Sequence, residues 1–326
     1  MDTSSETIQD PLQDHAAKVI KATLGGRVVP FLGTGVNLCG RPTGVKWCPG
    51  CKYLPSGSEL TEHLARAFLY PHAPDDLLRV SQYVTISDGA GPLYEELHKL
   101  FNIDYTPTSL HRFLAALPSA MRAKGLPVKY PLVVTTNYDD VLETALREAG
   151  EEFDLLYYEA KGKDLGKFWH QPPQGEPHLI DKPNKYRGLS FDQRTVILKI
   201  HGAVTRDEAT GDHDSYVITE DHYIDYMLNT EVTALLPVPL PEKLKRSHYL
   251  FLGYGLKDWN LRVILRRIWK DQALDWKSWA VKRDSDAIDE QFWKKRNVDI
   301  INADLQDYIA SLSRCLENRP HAGGGA

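Results

Sequence analysis

Nowhere in this chain do about 18 apolar residues run together, so no membrane-spanning helix is expected. Cysteine is scarce, four in 326 residues. That excludes a disulfide framework and points to a reducing compartment. Neither charge dominates: 39 Lys and Arg against 44 Asp and Glu leave a formal charge of −5. This balance argues against a polyanion-binding protein, and direct nucleic-acid binding is not expected. The opening residues Met1-Asp2-Thr3-Ser4-Ser5-Glu6 are polar and acidic, unlike a secretory leader, so the expected location is cytoplasmic. No internal repeat of solenoid type is present. The segment 321–326, rich in glycine, is expected to be a disordered tail.

What is present is ordinary for a globular protein: 42% hydrophobic and 25% charged residues, enough for a sizeable core. Four apolar runs stand out, Val28–Leu32, Leu132–Val134, Val196–Leu198 and Tyr249–Leu252. Val, Ile and Leu runs bounded by glycine read as strands buried on both faces, as in a parallel sheet. Helical spacing is read over residues 11–24, in several stretches from Leu60 to Leu117, and over 138–150, where Val141, Leu142, Ala145 and Leu146 form the buried stripe. Further helices are expected over 220–228, 288–295 and 305–316. A strong amphipathic one carries Leu261, Ile264, Leu265 and Ile268, with Asp258 as its N-cap. Short strands are expected at 278–281 and 298–301. This alternation is α/β, doubly wound around a mostly parallel Rossmann-like sheet.

One domain over residues 1–320 is expected. Its Rossmann core takes about 25–37, 128–150 and 195–320. A helical module is inserted at about 38–125, since its helical stretch alone, roughly 60 residues ending near 117, is too long for a simple crossover. Residues 151–194, aromatic and proline-rich, read as a second, irregular insertion.

Each apolar strand runs into a motif: Phe31-Leu32-Gly33-Thr34-Gly35, Thr135-Thr136-Asn137-Tyr138-Asp139, Lys199-Ile200-His201-Gly202, and Phe251-Leu252-Gly253-Tyr254-Gly255. In an open parallel sheet, ligands lie beyond the carboxyl ends of the strands. Gly33 and Gly35 either let backbone amides approach a phosphate or simply make a tight turn. A complete dinucleotide fingerprint is absent, because Leu38 holds the third glycine position. Asn137 and Asp139 either face a ligand or cap the helix that follows. His201 is either a structural histidine or a general base. Four such turns converging on one crevice favour the functional readings over the structural ones.

In this order the motifs resemble the sirtuin superfamily, over about residues 27–310. They look closest to the bacterial sirtuin-like branch that consumes NAD in antiphage defence. The resemblance implies that Gly33, Thr34 and Gly35 form the phosphate loop, usually Gly-Ala-Gly in the family. Asn37 stands where sirtuins have a serine. Thr136, Asn137, Tyr138 and Asp139 match Gln-Asn-Ile-Asp, and Tyr138 in place of isoleucine bears on the nicotinamide end of the pocket. His201-Gly202 matches the catalytic histidine motif. Gly253, Tyr254 and Gly255 match the adenosine-side loop, usually Gly-Thr-Ser. Sirtuin deacylases hold a zinc ion with two Cys-x-x-Cys pairs after the histidine. Here only Cys48-Pro49-Gly50-Cys51 exists, before it, with Cys39 nearby and Cys315 far off. Even with His63 or His72 as completing ligands the set is weak, and no metal is expected.

The expected activity is therefore that of an NAD glycohydrolase, with NAD as substrate and Asn137, His201 and Asp139 as catalytic residues. The alternatives are an NAD-dependent protein deacylase and a non-catalytic NAD or ADP-ribose sensor. A hydride-transfer enzyme fits less well without the third glycine. Unregulated NAD consumption is toxic, so gating is expected, through homo-oligomers or a separate protein such as a HerA-type ATPase. A basic face at Arg262, Arg266 and Arg267 reads as a solvated or partner-facing surface.

Overall fold

A computed structural model describes residues 10–206, 214–228, 235–255 and 275–319. The expected helix around 258–268, its arginines, the first residues and the tail lie outside these. The strands are β1 (Val28–Leu32), β2 (Leu132–Thr135), β3 (Phe153–Tyr158), β4 (Phe168–Gln171), β5 (His178–Leu179), β6 (Thr195–Lys199), β7 (Gly202–Ala203), β8 (Ser215–Tyr216), β9 (His248–Leu252), β10 (Ser278–Val281) and β11 (Val298–Ile301). The helices are α1 (Pro11–Leu24), α2 (Gly57–Ala67), α3 (Leu77–Asp88), α4 (Ala90–Phe101), α5 (Ser109–Ala123), α6 (Val141–Glu148), α7 (Glu220–Leu228), α8 (Pro239–Lys245), α9 (Ala287–Lys294) and α10 (Leu305–Glu317).

Nine strands form one sheet in the order β11-β10-β9-β1-β2-β6-β3-β4-β5. The seven from β11 to β3 are parallel, and β4 and β5 run antiparallel at the edge. Side chains alternate between two buried faces, as strand geometry requires. Val29, Phe31, Val134, Leu198 and Phe251 pack with Tyr226, Leu240, Leu244 and Trp293, on α7, α8 and α9. Leu32, Val133, Ile197 and Leu250 pack with α1, α5, α6 and α10 on the other face. This is the doubly wound α/β architecture. Pro30 lies within β1 yet is tolerated, because registered pairing with β2 begins only at Phe31↔Val134.

A third apolar cluster joins α2, α3 and α4 to Val204, Tyr216 and Ile218 of the segment after His201. The apolar stripe of α5, by contrast, sits on the sheet with α1 and α10. The segment 151–194 departs from expectation. It is not irregular: it carries β3, a full member of the parallel sheet, and the edge hairpin β4–β5. Phe153-Asp154-Leu155-Leu156-Tyr157-Tyr158 has no Val or Ile run, but aromatic residues suit strands equally well. The prolines that suggested a loop fall between the strands.

Local chemistry sets the helix ends. Ser56 and Glu59 form a reciprocal capping box on α2. In α5 a histidine fills the role usually held by glutamate: Thr108 N donates to His111 Nδ1 at 3.3 Å, and Thr108 Oγ1 lies 2.8 Å from it. An accepting Nδ1 needs a neutral ring, and burial pushes the His111 pKa down to about 3. Because the folded value lies below the unfolded value near 6.5, the unfolded chain binds more protons between the two. The neutral cap therefore stabilises fully above about pH 6.5 and loses about 1.4 kcal/mol per pH unit on acidification toward 3. His111→Gln keeps an acceptor at that position. Denaturant melts at pH 7.5 and pH 5 are expected to show a shallower loss of stability in that variant than in the parent.

Candidate active site

Register places the key residues. Thr135 of β2 pairs with Lys199 of β6, and Ile200 N donates to Thr135 O at 3.0 Å. Asn137 and His201 each stand two residues beyond that pair, so they leave neighbouring strand ends, about 4.8 Å apart in a sheet. On the other side of β1, the turns after β1 and β9 lock together. Gly33 N donates to Leu252 O and Gly35 N to Gly253 O, both at 2.9 Å. All four predicted turns thus meet at the carboxyl edge of β9-β1-β2-β6.

The glycines have a direct steric cause. Gly253 has φ +73°, and a Cβ there would lie 2.4 Å from Val36 N. A Cβ on Gly35 would meet Gly253 backbone atoms at 2.8 Å, and one on Gly33 would meet Gly253 O at 2.8 Å and the Tyr254 ring at 2.9 Å. Two backbones touch here with no room for side chains. Thr34 and Gly255 are exposed beside this contact.

Asn137 is buried. Its Nδ2 donates to Gly33 O at 3.3 Å and its backbone N to Thr135 Oγ1 at 3.0 Å, so it does not cap α6. Asp139, one residue before the N-cap Asp140, meets the first helical amide: its Oδ1 accepts from Val141 N at 3.2 Å. Its Oδ2 accepts from Asn37 Nδ2 at 2.7 Å. Burial pushes the Asp139 pKa up, opposed by the Lys199 ammonium and the Asn37 amide. His201 is buried with Nδ1 3.3 Å from the Tyr223 hydroxyl, and it is packed edge-on against Tyr223 and Tyr226 of α7. Burial lowers its pKa to about 3, so the ring is neutral near pH 7. Three buried atoms in this cluster have no hydrogen-bond partner among the described residues: Asn37 Oδ1, Asn137 Oδ1 and His201 Nε2. Buried polar groups are ordinarily paired, so three open ones from three separate turns mark a place where a polar ligand fits.

Other predicted residues have different surroundings. The Tyr138 ring packs on Phe101 and Tyr216 and its hydroxyl donates to Val217 O at 2.8 Å, so it faces the helical module. The Tyr254 hydroxyl donates to Leu32 O at 2.9 Å and lies 3.0 Å from Thr136 Oγ1, tying three strand ends together. A cavity of about 270 Å³ opens beside Asn37, walled by Leu54, Tyr105, Thr108 and Val141 among others. Asn137 and His201 are not among its lining residues.

Cys39 lies 3.4 Å from Ser109 Oγ, His63 pairs with Glu96 at 2.7 Å, and the His72 ring packs on Tyr70. Among the described residues, no group of three or more His, Cys, Asp or Glu side chains is placed to hold a metal ion. Sequence reasoning missed Tyr223 and Tyr226, which flank the imidazole, and a wholly buried ion pair, Lys199 Nζ to Glu143 Oε1 at 2.6 Å. The signal for that pair was present: each is a lone charge inside an apolar run.

Residues 131–301 match the SIR2-like domain model, just over half of the chain. The chain belongs to the SIR2-like domain family. Its turns are those of a sirtuin-like Rossmann fold, and its relatives are distant. It is 28% identical over 194 residues to the NAD(+) hydrolase ThsA of Acinetobacter baumannii, covering 59% of this chain and 31% of that protein. It is 28% identical over 195 residues to the NAD(+) hydrolase ThsA of Enterococcus faecium, covering 59% and 32%. It is 22% identical over 258 residues to defense-associated sirtuin 2 of Bacillus subtilis, covering 76% and 21%. The matches thus span about a third or less of the length of these curated relatives. Among the described residues, no helix of this SIR2-like chain is long and apolar enough to cross a membrane.

The interlocked glycines predict a specific fragility. Gly253→Ala forces a side chain into the Val36 backbone at positive φ and is expected to cost about 2–4 kcal/mol. Gly255→Ala, which meets nothing within 4 Å among the described residues, is expected to be nearly neutral. Urea unfolding of the two variants side by side checks this.

Proposed function

We propose that this SIR2-like chain is an NAD glycohydrolase, cleaving NAD+ to nicotinamide and ADP-ribose. The observation that carries the reading is the trio of open, buried polar atoms on Asn37, Asn137 and His201 at the sheet's switch point. The names of its relatives, NAD(+) hydrolases and a defense-associated sirtuin, point the same way.

In this reading the bond between ribose C1′ and the nicotinamide nitrogen breaks, and nicotinamide leaves with the electron pair. Water then attacks C1′ and gives up a proton. Asn137 Oδ1 orients the ribose hydroxyls and the attacking water. His201 takes the proton on Nε2: with its own proton on Nδ1, facing the Tyr223 hydroxyl, Nε2 is left as an acceptor. Asp139 acts at one remove, since both its oxygens are engaged by Asn37 and Val141. It fixes the Asn37 amide, whose Oδ1 then faces the substrate. The exposed Thr34 and Gly255, beside the packed glycines, border the phosphates and adenosine. Tyr138, Tyr254 and Thr136 hold the turns together from behind.

An NAD-depleting effector of antiphage defence, gated by self-assembly or by a separate partner, is the biological role that fits such an activity and such relatives. Asn137→Ala and His201→Ala are each expected to lower nicotinamide release by at least about 100-fold with unchanged far-UV spectra. Because burial holds the His201 pKa near 3, kcat/KM is expected to persist well below pH 6.5 and fall only as that low value is approached. Release of nicotinamide only when an acyl-peptide is added would establish deacylation instead. Tight NAD binding without products would establish a sensor.

A further inference from the structure

A second cavity, of about 260 Å³, is walled by α6, β3, β4 and the segment after His201. Its walls include Glu143, Arg147, Tyr157, Trp169, Gln171 and Arg206. Tyr157 and Trp169, cross-strand neighbours on β3 and β4, are stacked rings with centroids 6.4 Å apart and planes 12° apart. Glu143 is 1% exposed. Its Oε1 lies 2.6 Å from Lys199 Nζ as an ion pair, yet neither Oε1 nor Oε2 has a hydrogen-bond partner among the described residues. A buried carboxylate at a cavity wall with no hydrogen-bond donor asks for an N–H. Gln171 adds an amide with both a donor and an acceptor. These are the groups that read the edge of a nucleobase: a carboxylate accepts from an exocyclic amine, and a glutamine amide pairs bidentately with adenine.

Charge and size narrow the class. Arg206 is held by Asp140 at 2.6 Å and Asp104 at 3.1 Å, and Lys199 offsets Glu143, so the lining is nearly neutral and favours an uncharged ligand. The volume falls just under the range of pockets for drug-sized ligands, and so suits a base or nucleoside rather than a dinucleotide.

The cavity borders the catalytic turns at Asp140 and at Ala203–Arg206, and Glu143 reaches them through Lys199. Lys199 Nζ, which pairs with Glu143, also donates to Asp139 O at 2.5 Å and Tyr138 O at 3.4 Å, the two carbonyls after Asn137. We propose that the cavity walled by α6 is a regulatory site for a nucleoside-sized heteroaromatic bearing an exocyclic amine, read by Glu143 and relayed through Lys199 to the Asn137 turn. Binding stands apart from the hydrolase reading; only the relayed effect rests on it.

Titration calorimetry of the whole chain with adenosine, guanosine and cytidine tests this, with purine riboside, which lacks the exocyclic amine, as the control. At least one of the three is expected to bind with Kd on the order of 0.1 mM, and purine riboside about tenfold more weakly. Trp169→Ala and Glu143→Gln are each expected to weaken that binding about tenfold, with folding verified by thermal melts. Failure of all three nucleosides to bind the folded parent overturns the site, as does equal binding by both variants. The bound nucleoside is expected to change the rate of nicotinamide release, and Lys199→Met, its folding verified by thermal melts and its site saturated as judged by calorimetry, to abolish that change. An unchanged response in Lys199→Met overturns the relay. If the parent releases no nicotinamide under any condition, the hydrolase reading fails while the binding result stands.

Discussion

The contact on which the site depends is between two stretches of bare backbone. Gly35 N to Gly253 O, with Gly33 N to Leu252 O beside it, joins the turns after β1 and β9 so closely that neither admits a methyl group. These glycines have a structural cause that operates before any phosphate is considered. Their packing sets the position of Gly33 O, which receives the Asn137 amide. Asn137 is thus oriented by a carbonyl whose own place is set by close packing.

Electrostatics complete the arrangement. Lys199 and Glu143 are both almost wholly buried, an arrangement that is costly unless the partners are well matched. Here the lysine also satisfies two backbone carbonyls on the turn that carries Asn137 and Asp139. Aromatic rings from α7 close around His201 and keep it neutral. The sheet supplies position, and desolvation supplies the protonation state.

Much of this was legible from residue pattern. The runs that became β1, β2, β6 and β9 are dominated by Val, Ile, Leu and Phe and end in polar or glycine-rich turns, a combination that marks strands buried on both faces. Their order then forces the turns together. β3 was hidden because Phe153–Tyr158 reads as an aromatic loop among prolines, and its place beyond β6 is a tertiary fact. Tyr138 looked like part of the ligand pocket by motif alone. The direction of its side chain depends on Phe101 and Tyr216, which local pattern does not bring near. Tyr223 and Tyr226, one helical turn apart on α7, carry no signal in the local pattern; only the fold shows that they enclose the imidazole.

The wholly buried carboxylate of Asp214 has a mechanical consequence. It accepts from Thr205 N at 2.7 Å, Thr205 Oγ1 at 2.8 Å and the Tyr216 hydroxyl at 2.5 Å, and it pairs with His98 Nδ1 of α4 at 2.8 Å. Prising α4 from the hairpin after His201 would break the His98 contact to Asp214 and expose the apolar cluster that joins α2–α4 to Val204, Tyr216 and Ile218. The bundle α2–α4 is therefore riveted to the histidine's own hairpin and does not serve as a hinged flap over it. Traffic to the imidazole has to pass on another side.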